Sequence, residues 1–410
     1  MSTAYHGDTP SPPRTSALEV ASDARPDPVR SYGAWVRYGD PLTRAQLDFA
    51  ADHYRVAILQ PWETAAAAYL KAARPDITVL TYKCLSSTRD YEPGPVYTSG
   101  VGHDEAEESG EDWFAHRLDG SRISWDGYPG HWQMAVWNGD YRERWVENVL
   151  DELSGSPWDG IMADNDVYDD YYGLRPPIEG GREMTDLRRE LDEFVPYVGR
   201  SLNEAGKILV PNIAESRRDP GRWARHAAYG GGFEEVWLAW GPNDYLDPQA
   251  VNAQSDQVAG PGLTIMRVAT DGNDDHRNFT YGLAAFWIFG GGDGGAFTGT
   301  AHDGYSGTPF VPELEWNLGE PQEPVRQRGN GYSRQFSGGW AAVNVNSNLR
   351  RKVSFSVPEG LQAVDGSPAP AKVVLLPHEG VLYRTHAGGT AVAEPGTDPH
   401  AVAEPSVVVE

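Results

Sequence analysis

Between Tyr32 and Thr300 the chain alternates two patterns, and this alternation constrains the fold more than any other feature. Short apolar or β-branched runs read as strands: Tyr32–Tyr38, Val56–Gln60, Ile77–Lys83, Gly160–Asp164, Ile208–Asn212, Gly232–Ala239, Leu263–Val268 and Gly295–Thr298. Amphipathic stretches between them read as helices: Thr43–His53, Thr64–Ala73, Asp140–Leu153, Asp186–Ala205, Pro248–Val258 and His276–Phe289. Thr43 with Gln46 forms a capping-box signature at the first helix start. Strand–helix–strand repetition makes a parallel sheet, because each helix returns the chain to the same end. Eight such units fit a (β/α)8 TIM barrel, which takes roughly 250 residues. The rival, an open doubly wound sheet, needs a phosphate-binding turn after its first strand. Here that strand runs out through Val36-Arg37-Tyr38-Gly39-Asp40-Pro41, which is no such turn. A G-x-G-x-x-G at Gly290, Gly292 and Gly295 follows a helix and precedes a strand, the reverse of the dinucleotide context, and reads as a turn.

The style changes past Tyr305. Residues 306–330 are proline-punctuated and read as a linker. Residues 331–385 hold short strands with turn signals and no helical period, which predicts a small antiparallel β-sandwich. The expected organisation is a leader over 1–30, a barrel over 31–305, the linker, the sandwich, and a loose Ala/Gly/Pro/Val-rich tail over 386–410.

Lys and Arg number 34 and Asp and Glu 59, a net charge of −25. That field repels a nucleic-acid backbone, so no nucleic-acid partner is expected. No stretch approaches 18 unbroken apolar residues, so no membrane span is expected either. The single cysteine, Cys84, excludes an internal disulfide and a cysteine-rich metal cage, and its apolar surroundings predict a buried thiol. Met1–Arg30 lacks an apolar signal core; the expectation is a cytoplasmic protein, or one exported by a leader outside this sequence. Nothing in the sequence calls for a cofactor, and it does not fix an oligomeric state.

A barrel carries its chemistry at the C-terminal ends of its strands. The polar groups expected there are Arg37; Gln60, Trp62 and Glu63; Tyr82 and Lys83; Asp164, Asn165 and Asp166; Asn212 and Glu215; Glu234 and Glu235; and Arg267 and Asp271. The sharpest local signal is Trp158-Asp159-Gly160-Ile161-Met162-Ala163-Asp164-Asn165, a short buried run that delivers Asp164 to the rim. Asp166, Asp169 and Asp170 suggest a calcium loop, but the sixth position that such a loop gives to glycine is Asp169, so no metal is expected. A second carboxylate comes from Glu234, Glu235 or Glu215. Adjacent strand residues point opposite ways, so only one of Glu234 and Glu235 faces the mouth.

Aromatic residues number 14 Trp, 20 Tyr and 11 Phe, and many fall in predicted loops: Trp62, Tyr91, Trp113, Trp125, Trp132, Trp137, Tyr168, Tyr171, Tyr172 and Trp240. Flat rings stack on the C–H faces of pyranose sugars, which makes carbohydrate the expected ligand class. The segment from Ser86 to Asp140 is long for a βα connection and reads as a lid or binding wall, with His103, His116 and His131 in it.

Several of these segments together resemble a known family. Trp158–Asn165 is similar to the fourth-strand motif of glycoside-hydrolase-like TIM barrels. Gly231-Gly232-Phe233-Glu234-Glu235-Val236-Trp237 resembles their sixth-strand motif and aligns its acid with Glu235. Tyr281–Trp287 with Gly290–Gly292 resembles their last helix and turn, and Trp132–Val136 with Tyr141-Arg142 the segment before strand four. The match is to the hypothetical glycosyl hydrolase group numbered fifteen, with endo-α-galactosaminidases and α-galactosidases as distant kin. The resemblance implies that Asp164 is the nucleophile and Glu235 the acid/base, with a lean towards α-linkages. Relatives often carry an Asp where Ala135 stands, which implies an altered substrate contact.

The expected function is hydrolysis of a poly- or oligosaccharide by a carboxylate pair. The substrate-binding set is Arg37, Trp62, Glu63, Lys83, Asn165, Asn212, Glu215, Glu234, Arg267 and Asp271. A non-catalytic carbohydrate-binding protein on the same scaffold, and a transglycosylase, remain as alternatives.

Overall fold

The computed structural model describes residues 31–385, except 40, 110–111, 259, 274–275, 291–293, 302–304 and 306. The expected leader and tail, and Gly291 and Gly292 of the glycine motif, lie outside the described residues. Eight parallel strands form one sheet in sequence order: β1 (Ala34–Arg37), β2 (Val56–Leu59), β3 (Thr78–Cys84), β4 (Gly160–Asp166), β5 (Ile208–Ile213), β6 (Gly231–Glu234), β7 (Leu263–Ala269) and β8 (Gly295–Thr300). A parallel bridge from Gly33 to Phe297 closes β8 onto β1. The chain is a (β/α)8-type barrel.

Besides a short helix at His103–Glu108 in the connection after β3, its α-helices among the described residues are α1 (Arg44–His53), α2 (Thr64–Ala73), α3 (Gly139–Leu153), α4 (Met184–Glu204), α5 (Arg222–His226), α6 (Pro248–Gln257) and α7 (Arg277–Phe289). The Thr43/Gln46 capping box is present, both reciprocal bonds formed. The short α5 is a helix that the periodicity did not announce; five residues are too few to show one. Strand six ends at Glu234, not at Ala239: Leu238 adopts a left-handed φ of 66°, and Ala239–Gly241 pairs with Asp244–Tyr245 instead.

Side-chain parity sorts the barrel into two layers. Ala34, Val36, Val56, Ile58, Leu80, Tyr82, Met162, Val210, Phe233, Ile265 and Ala296 share one interior cluster. Their strand neighbours Trp35, Ala57, Leu59, Val79, Ile161, Ala163 and Leu209 pack outward against α1–α4. Met266, Val268 and Phe297 pack outward with α7. This is the period-two pattern of a sheet buried on both faces. Gly160, at the start of β4, is required by close approach: a Cβ there would lie 2.0 Å from the Ile208 carbonyl oxygen.

The C-terminal region is a five-stranded antiparallel sheet opposed by a two-stranded one. Trp340, Ala342, Val353, Phe355 and Leu375 pack between the two, while Ala341, Val343 and Leu382 on the opposite face join the cluster that contains α7. Among the described residues, no helix is long and apolar enough to cross a membrane.

One buried ion network anchors the end of β4. The register of β4 on β5 steps from Ala163↔Pro211 to Asp166↔Ile213, so β4 carries one extra residue, a bulge. Asn165 absorbs it at φ 66°, a conformation that Asn tolerates better than most residues. Asp166 therefore turns outward. It meets Arg222 at 2.5 Å and His226 Nδ1 at 2.5 Å, and His226 Nε2 reaches Asp192 at 2.7 Å. Burial works to lower the His226 pKa, but Asp166 and Asp192 overcome it and the net shift is upward. His226 thus binds its proton more tightly folded than unfolded. Its contribution is complete below the unfolded value of about 6.5 and is lost as pH rises through the higher folded value. The melting temperature should fall as pH rises above about 7, a dependence that His226→Gln should flatten. His226→Ala, by uncovering Asp166, should cost about 3–5 kcal/mol in denaturant titrations.

Candidate active site

The inward parity of the strands continues past their last pairs and sets what meets at the mouth. On β4 the inward residue is Asp164, on β5 Asn212, and just beyond β6 Glu235. These three strands are consecutive neighbours, so the three side chains lie side by side. The Asn212 amide Nδ2 donates to Asp164 Oδ1 at 2.9 Å and to Glu235 Oε2 at 2.8 Å. Two such bonds from one nitrogen hold the two carboxylate oxygens within about 6 Å.

Further donors surround the pair. Tyr82 Oη donates to Asp164 Oδ2 at 2.7 Å, and the Asn165 N–H to Asp164 Oδ1 at 2.8 Å. The Tyr305 hydroxyl donates to Glu235 Oε1. Behind Tyr82 stands Arg89, its guanidinium 3.4 Å from the phenol oxygen and itself ion-paired to Glu92 at 3.2 Å. Arg267, fully buried, donates to the Glu235 carbonyl at 3.2 Å and to Thr300 Oγ1 at 2.9 Å, and so fixes the backbone that carries Glu235.

The electrostatics follow from burial of two like charges. Burial raises the Asp164 pKa, the Glu235 charge raises it further, and the donors Asn212, Tyr82 and Asn165 pull it down; the net shift is upward. Two carboxylates this close do not both ionise freely, so the pair retains a proton to higher pH than separate carboxylates would. The phenols of Tyr38, Tyr82, Tyr172 and Tyr305 are pushed far up, by burial first and then by these carboxylates. They stay protonated donors at any physiological pH.

The other sequence-derived residues divide. Arg37 lies one position off the inward parity; its charge opposes the burial that raises the Glu63 pKa, and Glu63 directly precedes α2 without a side-chain capping bond. Lys83 points outward between β3 and α3, to Glu152 at 2.5 Å and the Tyr97 carbonyl at 2.6 Å, so it is a structural ion pair rather than a mouth residue. Asn165 is buried beneath the site, where its amide donates to Cys84 Sγ at 3.1 Å and its oxygen accepts from Tyr172. Cys84 is a buried free thiol. Glu234 turns outward towards α6; burial first, against the opposing hydrogen bond from Val236, pushes it up to about 7. Glu215, at a left-handed φ of 55°, is ion-paired to Arg217 at 2.8 Å. Asp271 is exposed and caps the turn at Asn273. Trp62, Tyr91 and Tyr171 are exposed aromatic groups, whereas Trp113 and Trp125 are buried. Trp125 stacks on Tyr172 at 3.8 Å.

Sequence reasoning missed Tyr38, named Tyr82 only as a residue at the end of strand three, and missed Tyr305. Counting alternate positions back from the apolar interior would have found the first two, since Val36 and Leu80 face inward. Tyr305 lies beyond β8, where no period reaches. The expected histidine wall is dispersed: His131 bonds Tyr91 at 2.9 Å, while His116 lies 3.3 Å from Asp112. Among the described residues, no group of three or more His, Cys, Asp or Glu could hold a metal ion.

The barrel brings two acids together at the C-terminal ends of β4 and β6, across the intervening β5. The chain belongs to hypothetical glycosyl hydrolase family 15, whose sequence profile matches residues 71–340. No curated protein matches it. Among solved structures it is similar to Ega3 of Aspergillus fumigatus, solved with galactosamine, at 13% identity and a TM-score of 0.43, over 72% of this chain and 100% of that one. It is also similar to the glycoside hydrolase domain of PelA from Pseudomonas aeruginosa, at 15% identity and a TM-score of 0.40, over 70% and 96%. A third is Amy13B of Eubacterium rectale, at 8% identity and a TM-score of 0.48, over 87% and 94%.

The two parities predict opposite outcomes. Lys83→Met should cost about 3 kcal/mol in denaturant titrations by stranding Glu152, with kcat little changed at temperatures where the variant is folded. Asn212→Leu should instead cut kcat by about a hundredfold, by releasing both carboxylates.

Proposed function

We propose that the chain is a retaining glycoside hydrolase in which Asp164 is the nucleophile and Glu235 the general acid/base. The carrying observation is the single Asn212 nitrogen bonded to both carboxylates. Two bonds from one nitrogen cannot span more than about 6 Å, which supports the retaining spacing of about 5–5.5 Å over the inverting range of about 6.5–9.5 Å. The donors on Asp164, a phenol, an amide and a backbone N–H, favour its ionised form at the moment of attack.

In the first step, Glu235 gives its proton to the glycosidic oxygen as the bond from that oxygen to the anomeric carbon breaks. An Asp164 oxygen forms the new bond to that carbon, and the leaving sugar departs as an alcohol. In the second step Glu235, now a carboxylate, takes a proton from water. The water oxygen bonds the anomeric carbon and Asp164 leaves as a carboxylate. Asn212 spans both sites and keeps their spacing through the exchange.

The substrate class is an oligo- or polysaccharide, with α-linkages suggested by the family's distant kin. Exposed Trp62, Tyr91 and Tyr171 are available to stack on sugar units. The alternative of binding without cleavage is disfavoured because both acids turn towards one another at the mouth. Transglycosylation uses the same pair and differs only in the acceptor.

A panel of α- and β-linked oligosaccharides and their 4-nitrophenyl glycosides should reveal hydrolysis by the wild type. Asp164→Asn and Glu235→Gln should each lower kcat about a thousandfold or more. The first product seen by proton NMR should keep the anomeric configuration of the substrate. The rate should be bell-shaped in pH. Activity falls on the acid side as Asp164 takes up a proton, and that limb should lie above the usual carboxylate value of about 4 because the Asp164 pKa is raised. Undiminished hydrolysis in both variants would remove the assignment.

A further inference from the structure

Tyr38 follows β1 and lies near both acids, whose charges act on its phenol. Its ring centroid lies 5.2 Å from that of Tyr82 and 5.0 Å from that of Tyr305. Those two neighbours have spent their hydroxyl protons, one on Asp164 and one on Glu235. The Tyr38 hydroxyl oxygen is buried and has no hydrogen-bond partner among the described residues. One register step beyond the last β1–β2 pair, Arg37↔Leu59, Gln60 stands beside it and likewise buries an unpartnered amide oxygen.

A buried hydroxyl without a partner costs about 1–3 kcal/mol, and nearly all such groups in folded proteins find one. Nothing in the packing demands the oxygen. The ring alone satisfies the contacts with Tyr82 and Tyr305, and phenylalanine would make the same ones. The oxygen also adds no support to either acid, because each already has its own tyrosine. It is flanked by the tyrosines that hold the two carboxylates, beside the place where the proposed mechanism puts the sugar.

We infer that Tyr38 is a substrate-contacting residue, donating its hydroxyl to a hydroxyl oxygen of the sugar held between Asp164 and Glu235. The inference rests on the proposed function and extends it by naming a recognition contact. The burial that keeps the phenol protonated also keeps it a donor across the working pH range. Of the three tyrosines at the mouth, two hold the machinery and one reads the ligand.

The three therefore respond differently to loss of the oxygen. Tyr82→Phe and Tyr305→Phe break bonds already present and should melt lower than wild type. Tyr38→Phe removes an unsatisfied polar atom and should melt at the same temperature or higher. Binding is measured by calorimetry with 1-deoxynojirimycin and 1-deoxygalactonojirimycin, cationic sugar-ring mimics that differ at one hydroxyl and suit a carboxylate pair. Tyr38→Phe should weaken the tighter of the two about tenfold, the worth of one hydrogen bond. Glu235→Gln serves as the reference. If it weakens binding and Tyr38→Phe does not, the contact is refuted and the proposed function stands. If neither mimic binds the wild type, or binding ignores Glu235→Gln, the sugar site itself is refuted and the contact with it. If Tyr38→Phe melts several degrees lower, its hydroxyl serves the fold and the assignment fails.

Discussion

Two carboxylates share one amide nitrogen at the mouth of this barrel, and much else in the structure serves that arrangement. Unit charges about 5 Å apart repel by about 3 kcal/mol at an effective dielectric of about 20. Burial adds to the cost. The fold opposes it by placing β4, β5 and β6 side by side, so that Asp164, Asn212 and Glu235 arrive from adjacent strands. A neutral donor between the acids supports both without neutralising either, which a lysine or arginine in its place would do. The cations are kept one shell away: Arg89 acts through Tyr82, and Arg267 through the Glu235 backbone.

The bulge in β4 is the second device. Regular alternation would bring Asp164 and Asp166 to the same face, two residues apart, and put three acids at one point. The extra residue, taken up at Asn165, sends Asp166 outward to Arg222 and His226. One aspartate stays beside Glu235, where the proposed chemistry would use it, and the other is paired in a buried network that pins the strand end. Asn165 also holds Tyr172, whose ring stacks on Trp125, so the bulge links the long connection after β3 to the site.

Much of this was legible in the sequence, and the misses have one physical source. Eight strands alternating with helices gave the barrel, because the pattern spans many residues and tolerates small errors at each boundary. Asp164, Asn212 and Glu235, each named from sequence, do meet. Arg37 and Lys83 were named for their charge at strand ends, where parity should have decided: Val36 and Leu80 face the interior, so Tyr38 and Tyr82 follow them inward. A lysine in an apolar run reads as functional, yet Lys83 is a buried partner of Glu152. Asp271 lies past its strand in a turn, where parity no longer acts. Tyr305 comes from beyond β8, and only the closed barrel brings it back to Glu235. The β4 bulge is carried by a single backbone angle, which hydrophobic pattern does not encode.

The phenols show how the site departs from rules that hold elsewhere in the chain. Core positions of a barrel favour branched aliphatic residues without polar atoms. Here the layer above Val36 and Leu80 is tyrosine, whose hydroxyls lose hydration on burial and regain it only where a carboxylate accepts. Stability alone would favour leucine or phenylalanine at each position, and a neutral residue at Asp164. The barrel tolerates the substitution of polar for apolar groups because its interior cluster below and its helices outside are complete without them. The strain is confined to one layer, held by eight strands that cannot move apart without breaking the closed sheet. On the proposed mechanism such a mouth is preorganised: the donors already hold both carboxylates where charge would change.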